Sequence, residues 1–201
     1  MGLFDKLFAK KKKAVDTSSL KKTGKMMEEK QFWQIIQKSL DETNNQDAQE
    51  TWLVNELQKF SPEEIIGFRL RTDKLLYDTY TSEMWCAAYI INGGCSDDCF
   101  EYFRCWLISR GEKIYEKTKN NPDSLVDEVN PEQDLYDFES FWYVGLQAFE
   151  RMTGQNLYEF IDDDNFTTGE GNYPTFDFNW QEDNPESIRN ICPKLFEKFG
   201  C

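Results

Sequence analysis

The sequence contains no histidine, and this absence excludes several kinds of chemistry at once. Without an imidazole there can be no Ser-His-Asp triad, no Cys-His pair and no zinc site of the HExxH type. The six cysteines include no CxxC pair, so zinc-ribbon spacing is also missing. There is no GxxxxGK phosphate loop either. The sequence therefore gives no reason to expect a cofactor.

The chain also lacks a long apolar run and a secretory signal. A transmembrane helix needs about 20 consecutive apolar residues, and no segment approaches that length. Chains without a signal peptide fold by default where thiols stay reduced. We therefore expect a cytoplasmic protein.

Basic residues are scarce outside the N-terminus. Nine of the 23 basic residues lie within residues 1–30, together with only four of the 37 acidic ones, so the rest of the chain is more acidic than the net charge of −14 suggests. Such a body repels phosphate backbones, and no nucleic-acid partner is expected. It would attract a basic protein partner. The alternative is that the charge serves solubility alone.

The first residues, MGLFDKLFAKKKK, have a composition of their own. In a helix, their leucines and phenylalanines would share one face and be followed by lysines, a pattern typical of weak contact with an anionic membrane surface. The alternative is a flexible basic tail. We predict a basic amphipathic tail over residues 1–13, a linker over 14–27 and one helical domain over 28–201.

Apolar residues recur with helical periodicity through most of the chain, which predicts an all-α fold with several helices in a single domain. Ser61 and Glu64, on either side of Pro62, match a capping box. Ser82 is predicted to cap the following helix. Asn130-Pro131 repeats the cap-plus-proline signal, so the next helix is expected to start there and to end near Gly154. Its apolar stripe is Leu135, Phe138, Trp142, Leu146 and Phe149.

Residues 162–185 have a different character, with three consecutive aspartates, two glycines and two prolines. This composition predicts a long irregular loop. The loop is nevertheless rich in aromatic residues, and such loops usually pack back on the body of a protein. Asp162, Asp163 and Asp164 do not fit a calcium-binding EF-hand loop, because the later ligand positions are occupied by unsuitable residues.

The segment Asn92–Gly111, NGGCSDDCFEYFRCWLISRG, is the most unusual in the chain. Asn92-Gly93-Gly94 predicts a helix end, and Ser96 can cap a new helix whose first turn contains Asp97 and Asp98. Arg104 follows at the border of the apolar face. A glycine turn of this kind can approach a ligand closely, but the alternative is purely structural: cap, dipole partners and an Arg104–Glu101 bridge.

Two cysteines, Cys95 and Cys99, lie in this segment near the start of the predicted helix. A helix N-terminus lowers the pKa of a thiol, but neighbouring carboxylates oppose this effect. Because Asp97 and Asp98 are adjacent and no histidine is present, we expect both cysteines to be unreactive.

The same segment, preceded by MWCAAYI, resembles the signature of a bacterial family catalogued as domain of unknown function 4240. EKQFWQII, SPEEIIGF and PKLFEKFG are also similar to it, so the resemblance spans about residues 28–201 in outline. It implies a helical domain with no established activity and no assigned catalytic residues. It directs attention to Trp85, Gly93, Gly94, Ser96, Asp97, Asp98, Phe103, Arg104, Trp106 and Gly111.

We therefore expect a non-catalytic protein-interaction module with an acidic surface, which could act as an antagonist of a basic protein. One alternative is a metal-dependent enzyme that uses the clustered aspartates, and another is a membrane-surface factor that binds through residues 1–13. No catalytic residue and no metal ligand is assigned. The candidate binding residues are Asp97, Asp98, Arg104, Trp85, Ser96 and Trp106.

Overall fold

The periodic apolar pattern forms helices in the computed structural model, which describes residues 14–169 and 171–200. Within these ranges no strand forms, and the only strand-like contact is a bridge between Thr23 and Ile161. The predicted all-α fold is confirmed. No helix in the described part of the chain is both long and apolar enough to cross a membrane. The predicted tail over residues 1–13 lies outside the described residues.

The helices follow one another with short connections until the C-terminal loop. In chain order they are α1 Glu29–Glu42, α2 Gln46–Leu57, α3 Pro62–Asp78, α4 Ser82–Asn92, α5 Asp97–Ser109, α6 Glu112–Asn120, α7 Glu139–Thr153, α8 Pro185–Ile191 and α9 Pro193–Phe199. Two short 3-10 helices, Pro122–Asp127 and Leu157–Phe160, flank α7 in the chain.

Helix start signals are mostly confirmed. Ser61 and Glu64 form the reciprocal capping box of α3. The predicted cap at Ser82 is wrong, because the Thr81 side chain caps α4 by accepting a bond from the backbone of Met84. The Ser82 hydroxyl instead donates to Asn179 in the C-terminal loop, at 2.7 Å. The Ser82 side chain, which the local sequence assigned to the helix cap, therefore binds a residue far away in the chain instead.

The helix predicted to start at Asn130-Pro131 is present as α7 and ends as expected near Gly154, but its predicted start is wrong, since α7 begins only at Glu139. The Tyr136 ring is buried against Trp106, and its hydroxyl hydrogen-bonds the backbone of Asn130. These contacts hold the segment in a non-helical turn. Leu135, which was expected on the apolar stripe, is 48% exposed as a consequence.

The core is organised around α7, which packs against α2, α3 and α5. At the other end, α8 and α9 pack on α4 and on the 3-10 helix Pro122–Asp127. The buried Asp123 carboxylate accepts the backbone N–H groups of Lys194 and Leu195, at 3.0 and 2.9 Å. An acidic side chain thus supplies the first turn of α9 with acceptors that its own sequence lacks.

Residues 14–27, the predicted linker, run along the body without forming a helix. Val15 donates to the Met152 carbonyl, and the Thr23 backbone pairs with residues on either side of Ile161. Gly67 on α3 lies so close to this segment that a Cβ there would approach the Met27 backbone nitrogen at 2.9 Å. The segment therefore has fixed contacts with α3 and α7.

The buried side chain of Arg69, on α3, joins this helix to α7. The Arg69 guanidinium contacts Asp73 at 2.8 Å, donates to the Trp142 carbonyl at 2.8 Å and lies 3.7 Å from the centroid of the Trp142 ring. Its side chain is 1% exposed and that of Asp73 is 5% exposed. A cation removed from water to this extent needs its partners. Asp73 supplies the opposite charge from within α3, and the contacts with Trp142 fix how α3 meets α7.

Replacing Arg69 by Met should lower the free energy of unfolding by about 3–5 kcal/mol, because Asp73 loses its buried cation. Lys119→Met, which breaks a partly exposed pair with Glu116, should cost no more than about 0.5 kcal/mol. Urea unfolding of both variants measures the difference. Equal losses would show that burial does not determine the strength of the Arg69–Asp73 pair.

Candidate functional site

The turn between α4 and α5 is built by two glycines. Gly93 and Gly94 have φ angles of 65° and 131°, which side chains with a Cβ rarely adopt. The Ser96 hydroxyl then accepts the backbone N–H of Cys99, so the predicted cap of α5 is confirmed. This geometry leaves Asp97 and Asp98 exposed on the first turn.

Arg104 points inward from α5 and is 1% exposed. Its guanidinium donates to the carbonyls of Phe100 and Leu76, at 3.2 and 2.6 Å, and to the Glu101 carboxylate at 2.6 Å. All three of its nitrogens are therefore engaged. The side chain is committed to internal contacts and does not face a ligand.

Aromatic rings enclose the same guanidinium. Tyr80, Phe100 and Tyr173 have ring centroids 5.0, 4.5 and 4.7 Å from it. Tyr80 and Tyr173 stack in parallel at 4.4 Å, and the Tyr173 hydroxyl donates to Glu101. Burial raises the pKa of Tyr173, so its hydroxyl keeps the proton that it donates. This cluster ties the C-terminal loop to α5.

Beyond this anchor, the loop forms one wall of an open groove of about 580 Å³. The Phe178 ring meets Trp85 and Trp180 edge to face, at 5.4 and 5.5 Å, and is 51% exposed. The lining residues are Trp85, Cys95, Ser96, Asp97, Phe178, Trp180, Gln181 and Glu182. We call this the aromatic groove.

The charges at the aromatic groove have one sign. Asp97 and Glu182 line it from opposite elements, and no Lys or Arg is among its lining residues. Both carboxylates are exposed, and neither has a hydrogen bond or ion pair within residues 14–169 and 171–200. On the other side of the loop, a second groove has Asp78, Glu83 and Asp177 in its lining. The aromatic loop thus lies between two acidic grooves.

The six candidate residues do not form one site. Trp85, Ser96 and Asp97 line the aromatic groove, while Asp98, one residue further along α5, is exposed but does not line it. Arg104 lies in the interior. The sixth, Trp106, lines a separate polar pocket that also contains Gln49, Arg110 and Tyr136.

Nor do the aspartates form a metal centre. In the part of the chain that the structure describes, no three His, Cys, Asp or Glu side chains are placed to hold a metal ion. The Asp162 carboxylate instead accepts a bond from Asn165 at 2.7 Å, within its own loop. The metal-dependent alternative therefore has no site among these residues.

Comparison with known proteins agrees with the resemblance in the central segment. A family model described as "Protein of unknown function (DUF4240)" matches residues 27–151, more than half of the chain. The chain belongs to this family. No curated protein and no solved structure matches it.

Only some of the residues that line the aromatic groove lie within the DUF4240 match. Trp85 and Asp97 lie within the matched residues, whereas Phe178, Trp180 and Glu182 come from the C-terminal loop beyond them. The sequence indicated that this loop packs on the body, and the burial of Trp180 confirms it. It did not indicate which aromatic residue stays exposed, because that depends on contacts between positions almost a hundred residues apart.

Arg104 contributes more than a positive charge, because its guanidinium also offers several hydrogen-bond donors in a fixed plane. Arg104→Lys should therefore lower the free energy of unfolding by about 2–4 kcal/mol even though the cation is kept. Arg110→Lys, at the exposed end of the same helix, should change it by less than about 0.5 kcal/mol. Urea unfolding tests both, and a neutral Arg104→Lys would contradict the role of the guanidinium as anchor.

Proposed function

We propose that this protein is a non-catalytic binding module whose aromatic groove receives a cationic side chain of a basic protein partner. One observation carries the proposal: the half-exposed Phe178 ring lies in a groove that is lined by the carboxylates of Asp97 and Glu182. Among residues 14–169 and 171–200, neither carboxylate has a partner and no basic side chain lines the groove. Exposed aromatic surface next to carboxylates provides both attractions that an ammonium or guanidinium group uses.

The two attractions differ in range and in what they select. The face of an aromatic ring attracts a cation within about 6 Å and is worth about 0.5–1 kcal/mol at an exposed site. Carboxylates act over longer distances and attract any cation. A groove that contains both favours a long basic side chain, whose apolar stem packs on the rings while its head reaches Asp97 or Glu182.

The charge of the whole chain supports the same class of partner. With a net charge of −14, the protein accelerates encounter with a basic surface and repels nucleic acid. The acidic residues of the second groove, Asp78, Glu83 and Asp177, would extend the attraction beyond a single side chain. Encounter in the cytoplasm is part of the proposal. The narrower form of the proposal is that this protein acts as an antagonist of a basic protein, and that form rests on charge alone.

Neither alternative function is favoured by an observation on the described residues. The enzyme alternative needs a metal cluster, and none lies within those residues. The membrane alternative depends on residues 1–13, which are outside them.

The proposal predicts that the Asp97→Asn/Glu182→Gln double variant binds a fluorescently labelled lysine-rich peptide about five- to tenfold more weakly than the unchanged protein, because two carboxylates at the groove are lost. Phe178→Ala should weaken binding by about threefold through loss of the ring face. Fluorescence anisotropy at physiological salt gives the dissociation constants, and a glutamate-rich peptide should not bind.

The matched control is Asp163→Asn/Asp164→Asn, which removes the same charge from the exposed aspartates of another loop. It should change the dissociation constant by less than about twofold, because these aspartates do not line the aromatic groove and salt screens exposed charges that are not in contact with the ligand. If both double variants weaken binding equally, the attraction belongs to the net charge and not to the aromatic groove.

A further inference from the structure

Cys95 and Cys99 lie side by side at the start of α5. Their sulfur atoms are 2.7 Å apart, and the Cys95 thiol donates a hydrogen bond to the Cys99 sulfur. Cys95 precedes the Ser96 cap, and Cys99 is in the first turn of the helix. Ser96, between the two cysteines, has an extended backbone with φ −73° and ψ 175°, and the helix starts directly after it, so the Cys95 side chain lies beside the first turn.

These two cysteines also differ from the others in access. Both are part-buried and reachable from solvent, whereas Cys86, Cys105 and Cys192 are fully buried. A small reagent can therefore reach the pair without unfolding the protein. Cys201 lies outside the described residues.

Polar neighbours distinguish the two sulfurs. The Cys95 thiol donates to Cys99, which lowers the pKa of Cys99 to about 7 against the opposing effect of burial. The Asn92 amide adds a second donor at 3.4 Å, while the Asp137 carboxylate acts in the opposite direction. The hydrogen bond to Cys99 and burial raise the pKa of Cys95, and the opposing effect of the Arg104 cation is smaller than these two.

We propose that Cys95 and Cys99 form a reversible thiol–disulfide pair, with Cys99 as the attacking thiolate and Cys95 as the resolving thiol. The oxidant is a small-molecule disulfide of the glutathione type. Paired cysteines that are partly accessible and have one stabilised thiolate are the kind that such disulfides oxidise. Disulfides of this kind in reducing compartments are usually transient.

The exchange is balanced in two steps. The Cys99 thiolate attacks one sulfur of the small disulfide, forming a mixed disulfide and releasing one small thiolate, which takes up a proton. Cys95 then loses its proton to solvent, and its sulfur attacks the sulfur of Cys99. The Cys95–Cys99 bond forms as the second small thiol leaves. Two protein thiols are oxidised, and one small disulfide is reduced to two thiols.

The pair borders the aromatic groove but does not depend on the proposed function. Cys95 lines the groove, and its carbonyl accepts the indole N–H of Trp85 at 3.0 Å. Thiol chemistry is read out by mass and needs no partner protein, so the two proposals can fail separately.

The test uses the full chain with Cys201→Ser, so that the cysteine outside the described residues cannot react. The protein is equilibrated with glutathione disulfide and glutathione, unfolded in acid, alkylated and analysed by intact mass and peptide mapping. Oxidation should remove two alkylation sites, both within the peptide that contains Cys95 and Cys99, and dithiothreitol should restore them. This measurement decides the question without any further variant.

Two single variants test the roles. Cys95→Ser should accumulate a mixed disulfide with glutathione on Cys99, because the resolving thiol is gone. Cys99→Ser should react at least about tenfold more slowly, since Cys95 retains its proton. The proposal is overturned if both cysteines stay alkylated at every glutathione ratio, if the disulfide joins another pair, or if the two variants react at equal rates.

Discussion

The burial of one cation, Arg104, determines how the two ends of the domain meet. A guanidinium at 1% exposure is stable only where hydrogen bonds and charge replace water. Here the partners come from three separate elements: the end of α3 through the Leu76 carbonyl, α5 through Glu101, and the C-terminal loop through Tyr173. The hydrogen bonds come from α3 and α5, while the loop covers the guanidinium with the Tyr173 ring and binds Glu101, so the loop lies over α5.

The aromatic groove follows from this constraint. After Tyr173 the loop is fixed again a few residues later, where the indole of Trp180 donates to the Ser82 carbonyl and the Ser82 hydroxyl bonds Asn179. Between the two anchors, Phe178 is held against Trp85 and cannot be buried by further collapse. The Phe178 ring is therefore exposed because the loop is fixed on both sides of it. The ring faces the start of α5, where the helix dipole favours an acidic residue such as Asp97.

Local signals in the sequence were sufficient for the helices and for the cap at Ser96, because such signals act within one turn of helix. They failed where distant residues compete: Ser82 is taken by the C-terminal loop, and Tyr136 holds its segment out of a helix. The site follows the same division. Trp85, Ser96 and Asp97 were identified from one segment, whereas Phe178 and Glu182 depend on long-range packing that no local pattern encodes.

The thiol pair shows how distance decides between opposing electrostatic effects. From the sequence, Asp97 and Asp98 should keep both neighbouring cysteines protonated, since carboxylates disfavour thiolates. In the structure the strongest influence on Cys99 is a hydrogen bond donated at 2.7 Å by the Cys95 thiol, and exposed carboxylates further away are weakened by solvent. Whether two thiols four residues apart touch depends on the backbone between them. Ser96 has extended backbone angles and is followed at once by helix, so the residue that caps α5 also places the Cys95 thiol against Cys99.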